Sequence, residues 1–150
     1  MSHAFCSLTY HIVFSTKDRR PLLVTDMQPR LHEYLGGTVR GLGSVALAVG
    51  GTDDHVHILA RLRQDRAISD VLREIKTAAT HWIHGEFPDM KGFFWQAGYG
   101  AFTVSASQAE KVAAYITHQT EHHKKQSFED EFVALLTAHA VEFDPKYIWQ

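Results

Sequence analysis

An α+β domain built on an antiparallel sheet is the fold class this chain predicts, and three observations predict it. Short apolar or alternating runs near residues 8–14, 44–49, 55–62 and 93–104 have the pattern of strands. Between them, apolar residues recur at helical spacing, most cleanly at Ile68, Val71, Leu72, Ile75, Ala79, Trp82 and Ile83. The order of the two patterns, β-α-β-β-α-β followed by two helices, matches a ferredoxin-like split β-α-β unit with both crossover helices on one sheet face.

Each element has its own signal. In the first strand, residues 7–15, Leu8, Tyr10, Ile12 and Phe14 alternate with Thr9, His11 and Val13. A basic loop follows, Lys17-Asp18-Arg19-Arg20-Pro21. Thr25 or Asp26 can cap a helix that runs to about Arg40, with Met27, Leu31, Tyr34 and Leu35 on one face. Gly36-Gly37 is expected to weaken its middle or end it early. Residues 44–49 and 55–62 form a hairpin around a turn at Gly50 to Asp54. Ser69 or Asp70 can cap the second helix, and Pro88 and Gly92 mark a loop. The run 93–104 reads as a strand made irregular by Gly98 and Gly100. Ser107 with Glu110 has capping-box spacing and opens a helix over about 108–125; Ser127 with Asp130 caps a last helix over about 128–140. The aromatic and apolar tail, Phe143 to Gln150, is expected to dock on the body.

A length of 150 residues, with 45% hydrophobic and 21% charged residues, fits one globular domain over 1–150 with a sizeable core. No apolar run approaches a membrane span, and the N-terminus lacks the pattern of a signal peptide. The single cysteine, Cys6, excludes an intramolecular disulfide framework, suits a reducing cytoplasm and is expected to be a small buried residue. A net charge of −2 argues against indiscriminate polyanion binding but allows a local basic groove. Eleven histidines are many for this length and point toward a metal or phosphate site.

The residues that can carry chemistry lie in two distant fragments. His55 and His57 are two apart in a strand, so both side chains leave one face while Val56 points into the core. Two imidazoles on one face can bind a divalent cation, although His-x-His is also common on solvated strands. Asp53 and Asp54 could orient an imidazole but read more simply as turn residues. Tyr115 and Gln119 are i and i+4 in a helical run, with Lys111 and His122 near the same stripe. Val112 and Ile116, with Ala109, Ala113 and Ala114, form the expected core stripe, which leaves Tyr115 free to face the histidines. Gln119 can add a neutral amide oxygen as a third ligand.

The segments YHIVFSTKDRRPLL (Tyr10 to Leu23), DDHVHILARL (Asp53 to Leu62), FFWQAGYGAFTVSAS (Phe93 to Ser107) and AAYITHQTEHHKKQSFEDEFVALL (Ala113 to Leu136) resemble, in order and over nearly the whole chain, the single-tyrosine HUH transposases of the insertion-sequence-two-hundred type. Two positions depart from that pattern: Asp53, where a proline is more familiar, and His118, where an asparagine is. The resemblance implies that His55, His57 and Gln119 bind Mg²⁺ or Mn²⁺ and that Tyr115 is the nucleophile. It implies cleavage and rejoining of single-stranded DNA at hairpin ends through a 5′-phosphotyrosine, and action as a homodimer. The Ser105-Ala106-Ser107 connector is small and polar enough to let the tyrosine helix swing, so which subunit's tyrosine completes a site stays open.

Basic residues that can hold DNA phosphates fall in three clusters: Lys17, Arg19 and Arg20; Arg61, Arg63 and Arg66; and Arg73 and Lys76 with Thr77 and Thr80. Trp95 and Phe94 are expected in the core, with Tyr99 available to stack on a base. His122, His123, Lys124 and Lys125 give the tyrosine helix a basic end, which favours its dipole. Competing readings are a domesticated nickase acting on chromosomal repeat hairpins, a non-catalytic hairpin-binding module on the same fold, and a water-using metal hydrolase. Only the first shares the tyrosine chemistry.

Overall fold

The computed structural model describes residues 4–149. Its elements in chain order are β1 (Thr9–Ser15), α1 (Gln28–Gly41), β2 (Val45–Gly51), β3 (His55–Arg61), α2 (Ile68–Glu86), β4 (Gly100–Thr103), α3 (Ala109–Thr117), α4 (Gln119–His122) and α5 (Phe128–Ala138). The four strands form one sheet in the order β2-β3-β1-β4, with every neighbouring pair antiparallel. This is the expected ferredoxin-like arrangement.

The two faces of the sheet carry different chemistry because strand side chains alternate. Ile12 and Phe14 of β1 and Val56, Ile58 and Ala60 of β3 face α1 and α2, where they join Leu31, Leu35, Val39, Val71, Leu72, Ile75, Ala79 and Ile83 in the main core. The opposite face is split into two smaller clusters. Leu59, Val104 and Ile116 pack beneath α3, and Val13, Phe102, Phe128, Phe132 and Leu136 pack beneath α5. Polar residues of β1 and β3 lie between these clusters. Two glycines let the helices approach this second face. A Cβ on Gly50 would lie 2.1 Å from the carbonyl oxygen of Ile116, so α3 ends directly on the backbone of β2. A Cβ on Gly100 would meet the Phe132 ring at 2.7 Å, so this side chain of α5 packs on the backbone of β4.

Several local expectations are corrected. The capping residues predicted for α1 and α2 make no side-chain cap; α1 instead begins with Pro29 in its first turn, where a missing N–H costs nothing. Gly36 and Gly37 do not interrupt α1. Gly36 packs near Ala46 and Val49 of β2, so tertiary contact outweighs the low helix propensity. Gly50 and Gly51 belong to β2, which shortens the turn. The long fourth strand reduces to four residues plus a single bridge between Thr16 and Trp95. The helix expected over 108–125 breaks at His118, whose side chain turns back to bond the Ala114 carbonyl at 2.6 Å. Ser107 does not cap it. The Ser127 cap does form: its hydroxyl accepts from the Asp130 amide at 3.1 Å. Cys6 is exposed, because the segment before β1 lies outside the packed elements. In the tail, Ile148 and Trp149 pack on the α5 cluster while Tyr147 is exposed; Gln150 lies outside the described residues. Among the described residues no helix is long and apolar enough to cross a membrane.

Candidate active site

The polar gap on the second face of the sheet is a buried cluster. His57 sits on the central strand β3 between Val13 of β1 and Gly50 of β2, and His55 opens the same strand. Both imidazoles are fully buried at 0% exposure. Gln119, 1% exposed, reaches them from the start of α4, with Oε1 3.0 Å from His55 Nε2. The break at His118 leaves Tyr115 on α3 and Gln119 on α4, yet both side chains enter the cluster. The sequence-derived set of His55, His57, Tyr115 and Gln119 is therefore brought together within one chain.

The centre of the cluster is Glu131 of α5, a residue the sequence reading missed. Its carboxylate is 1% exposed. Oε1 lies 2.9 Å from His57 Nε2, 3.0 Å from His123 Nε2 and 3.5 Å from His55 Nε2. Oε2 accepts a short hydrogen bond from the Tyr115 hydroxyl. His123, read from sequence as part of a basic helix end, turns inward instead and also contacts Gln119 Oε1 at 3.0 Å. One signal did mark Glu131: it lies on the stripe of Phe128, Phe132 and Leu135, where an acid at a core position requires a partner.

Second contacts orient the two strand histidines. Asp54 Oδ1 accepts from His55 Nδ1 at 2.7 Å, so Asp54 is an orienting carboxylate and more than a turn residue. The Thr52 hydroxyl lies 3.1 Å from the same nitrogen. His11 of β1, also missed from sequence, places Nε2 2.7 Å from His57 Nδ1, with the two rings stacked.

Electrostatics follow from burial and pairing. Burial, with the neighbouring His57, pushes His11 down to about 3, and burial pushes His57 down to about 4 against the pull of Glu131, so both are neutral near pH 7. Burial works against the Glu131 charge, but hydrogen bonds from His123 and His57 outweigh it and hold the carboxyl below its ordinary range. Burial lifts the Tyr115 hydroxyl above its ordinary value, and the Glu131 carboxylate beside it adds to the rise. A second negative charge on the phenol is disfavoured while Glu131 stands uncompensated; a cation among these groups would remove that obstacle. The donor set fits one: His55, His57, His123 and Glu131 present ligand atoms all within 4.8 Å of one another.

The sequence model of the family described as "Transposase IS200 like" matches residues 4–119. This chain belongs to the IS200-like transposase family. It is 26% identical over 117 residues to the ISDra2 transposase TnpA of Deinococcus radiodurans, covering 75% of this chain and 84% of that one. To the IS200 transposase of Salmonella typhimurium it is 26% identical over 129 residues, covering 83% and 84%. A crystal structure of a Deinococcus radiodurans protein assigned as a transposase superposes with a TM-score of 0.66 at 26% identity, covering 77% of this chain and 93% of that one. A REP-associated tyrosine transposase solved with a REP hairpin shares the fold, with a TM-score of 0.56 at 21% identity and coverage of 77% and 70%. His123 and Glu131 lie beyond the matched segment of this IS200-like transposase.

The basic residues are more dispersed. Lys17 and Arg20 are exposed at the end of β1 near His55, whereas Arg19 lies over the Trp149 ring at 4.4 Å and pairs with Glu129 at 3.4 Å. Arg61 is exposed at the opposite end of β3, roughly 20 Å from His55 along the strand. Arg63 forms a two-point pair with Asp65, Arg66 pairs with Glu74, and Arg73 pairs with Asp70. Lys76 donates to the carbonyls of Gln96 at 2.7 Å and Gly98 at 2.9 Å, and burial pushes its amine down to about 8. It pins the 94–99 loop to α2. Trp95 is buried as expected, between Phe14 and Phe93. Phe94 is 53% exposed, contrary to expectation, because extended backbone that turns Phe93 and Trp95 inward turns Phe94 out.

Proposed function

We propose that this transposase cleaves and rejoins single-stranded DNA at hairpin ends, with Tyr115 as nucleophile and His55, His57 and Gln119 holding a divalent cation, Mg²⁺ or Mn²⁺. The observation that supports it is the single buried cluster joining the Tyr115 hydroxyl, through Glu131, to both histidines. A bound cation would neutralise charge on the scissile phosphate and compensate the carboxylate beside the nucleophile. Tyr115 Oη attacks phosphorus as its proton passes to Glu131 or to water. The bond to the 3′ oxygen breaks, and that oxygen leaves as a hydroxyl after taking up a proton. The 5′ end stays on Tyr115 as a phosphodiester. A second 3′ hydroxyl then attacks that phosphorus, restores the DNA link and returns the phenol, with no external energy source required.

For the DNA, exposed Lys17 and Arg20 near the His55 end are suited to phosphates beside the cleavage point. Arg61, Arg63 and Arg73 lie toward the far end of β3 and the first half of α2, where a hairpin stem could extend. Between α2 and the 94–99 loop, a groove of about 300 Å³ bordered by Lys76, Thr77, Thr80 and Phe94 offers an exposed ring to an unpaired base. Exposed Tyr99 lies on the other side of Lys76. The protein would act in the cytoplasm on chromosomal DNA, as a homodimer.

The deciding experiment incubates wild-type and Tyr115→Phe protein with labelled hairpin DNA, with and without Mn²⁺ or Mg²⁺, on denaturing gels. A cation-dependent covalent protein–DNA band that Tyr115→Phe lacks is expected, with hairpin binding retained by the variant. Persistence of the band in Tyr115→Phe would remove the nucleophile assignment. Binding with no adduct from the wild type would favour a binding module.

A further inference from the structure

We propose that His123 and Glu131 complete the coordination shell of the site's cation, so that one chain supplies five donors: His55 Nε2, His57 Nε2, His123 Nε2, Gln119 Oε1 and Glu131 Oε1. The inference rests on the reading that this site holds a metal. It extends the ligand set beyond the segment matched by the family's sequence model, which ends at Gln119.

Spacing carries the first argument. Donors that share one ion at about 2.1 Å are separated by about 3.0 Å along the edge of an octahedron and about 3.4 Å along that of a tetrahedron. The contacts here are 3.0 Å for His55 to Gln119, 3.5 Å for His55 to Glu131, 2.9 Å for His57 to Glu131, 3.0 Å for His123 to Gln119 and 3.0 Å for His123 to Glu131. Four of these contacts, at 2.9–3.0 Å, have the length of octahedral edges, and the fifth, His55 to Glu131 at 3.5 Å, is longer than such an edge.

The outer contacts supply a second argument. With a proton on His55 Nδ1 donated to Asp54, His55 Nε2 presents a lone pair to the cluster. The opposing groups are Gln119 Oε1, whose amide nitrogen instead donates to the Tyr115 carbonyl at 3.4 Å, and Glu131 Oε1. At His55 Nε2 an acceptor thus faces two acceptors, an arrangement that a shared cation resolves. His11 can serve His57 in the same way, accepting from Nδ1 and leaving Nε2 to ligate. Burial is the third: an acid at 1% exposure on the apolar stripe of α5 is costly without strong compensation. Three imidazoles, an amide oxygen and a carboxylate form a borderline donor set that favours Mn²⁺, Co²⁺ or Zn²⁺ over Mg²⁺. Because the donors come from β3, α4, α5 and the loop after α4, cation binding ties the C-terminal helix to the sheet.

Isothermal titration of the full chain with MnCl₂ and MgCl₂, together with visible absorption of the Co²⁺-loaded protein, tests this directly. Wild type, Glu131→Gln, His123→Ala and His57→Ala are compared, with far-UV circular dichroism to confirm folding. Glu131→Gln keeps the side-chain shape. We expect it and His123→Ala each to weaken Mn²⁺ binding at least ten-fold and to shift the Co²⁺ bands, and Mg²⁺ to bind wild type more weakly than Mn²⁺. Wild-type affinity and spectrum in both variants, with binding lost in His57→Ala, would overturn the five-donor shell and leave the three-ligand reading standing. Absence of binding to wild type would overturn both.

Discussion

Tyr115 and Glu131 show how one contact sets the chemical state of the proposed nucleophile. Burial raises the cost of ionising the phenol, and the carboxylate that accepts its hydrogen bond adds to that cost. Asp54 has a complementary role, because its carboxylate fixes the orientation of His55. Asp54→Asn is expected to lower cation affinity about 10- to 100-fold, measured by titration with Mn²⁺, with little change in melting temperature without metal. His32, outside the proposed ligand set, contributes to the pH dependence alongside His11 and His57. Burial pushes His32 down to about 4, and its Nε2 is a buried atom without a hydrogen-bond partner among the described residues. Between about 4 and its ordinary 6.5 the unfolded chain binds more protons than the folded one. Its contribution is therefore full above 6.5 and is lost as pH falls toward 4, up to about 3 kcal/mol. Denaturant melts of wild type and His32→Leu at pH 7 and pH 4.5 should show a smaller acid loss in the variant; equal losses would reject the assignment.

On the site face, α3 is placed by a close backbone contact and α5 by its apolar stripe of Phe128, Phe132 and Leu136. Gly50 is the clearest case, since any Cβ there strikes the Ile116 carbonyl and must push α3 outward, carrying Tyr115 and Gln119 with it. Gly50→Ala should cost about 1–3 kcal/mol of stability and weaken Mn²⁺ binding, read from denaturant melts and titration on the same sample. At the start of α5, Ser127→Ala should cost about 1 kcal/mol through loss of the cap. The legibility of these elements differed for physical reasons. The two crossover helices and the first three strands were readable because burial of a regular face imposes a regular period. The fourth strand was overextended, since Phe93 and Trp95 are apolar through core packing and yet this segment forms only an isolated bridge, from Trp95 to Thr16 just past β1. The break at His118 left no mark in the apolar pattern, because Ile116 and Gln119 are buried on either side of it.

The assembled molecule gathers on one sheet face what the chain carries in separate places. Residues 55, 115 and 131 are distant in sequence, and the antiparallel order β2-β3-β1-β4 with α3 and α5 on the free face is what makes them neighbours. A single chain holds its own Tyr115 beside its own His57, so the proposed homodimer need not exchange tyrosines to have a site. Mixing Tyr115→Phe with His57→Ala protein tests this. We expect no adduct from the mixture if each chain uses its own tyrosine, and recovered adduct if subunits trade the tyrosine helix; light scattering of the same mixture reports whether dimers form.

The sequence alone determined the fold class and the pairing of His55 with His57 on one strand face. Both follow from local periodicity, which a strand or helix imposes on any chain that forms it. Tyr115 and Gln119 do meet, but across the break at His118 and not on one continuous helix. Only the tertiary structure decided the roles of Glu131, His123 and His11, the engagement of Arg19 with the tail and the exposure of Phe94. Those depend on which surfaces meet across long sequence separations. Periodicity marks a side chain as facing inward, but its partners are chosen by the packing of other elements against it.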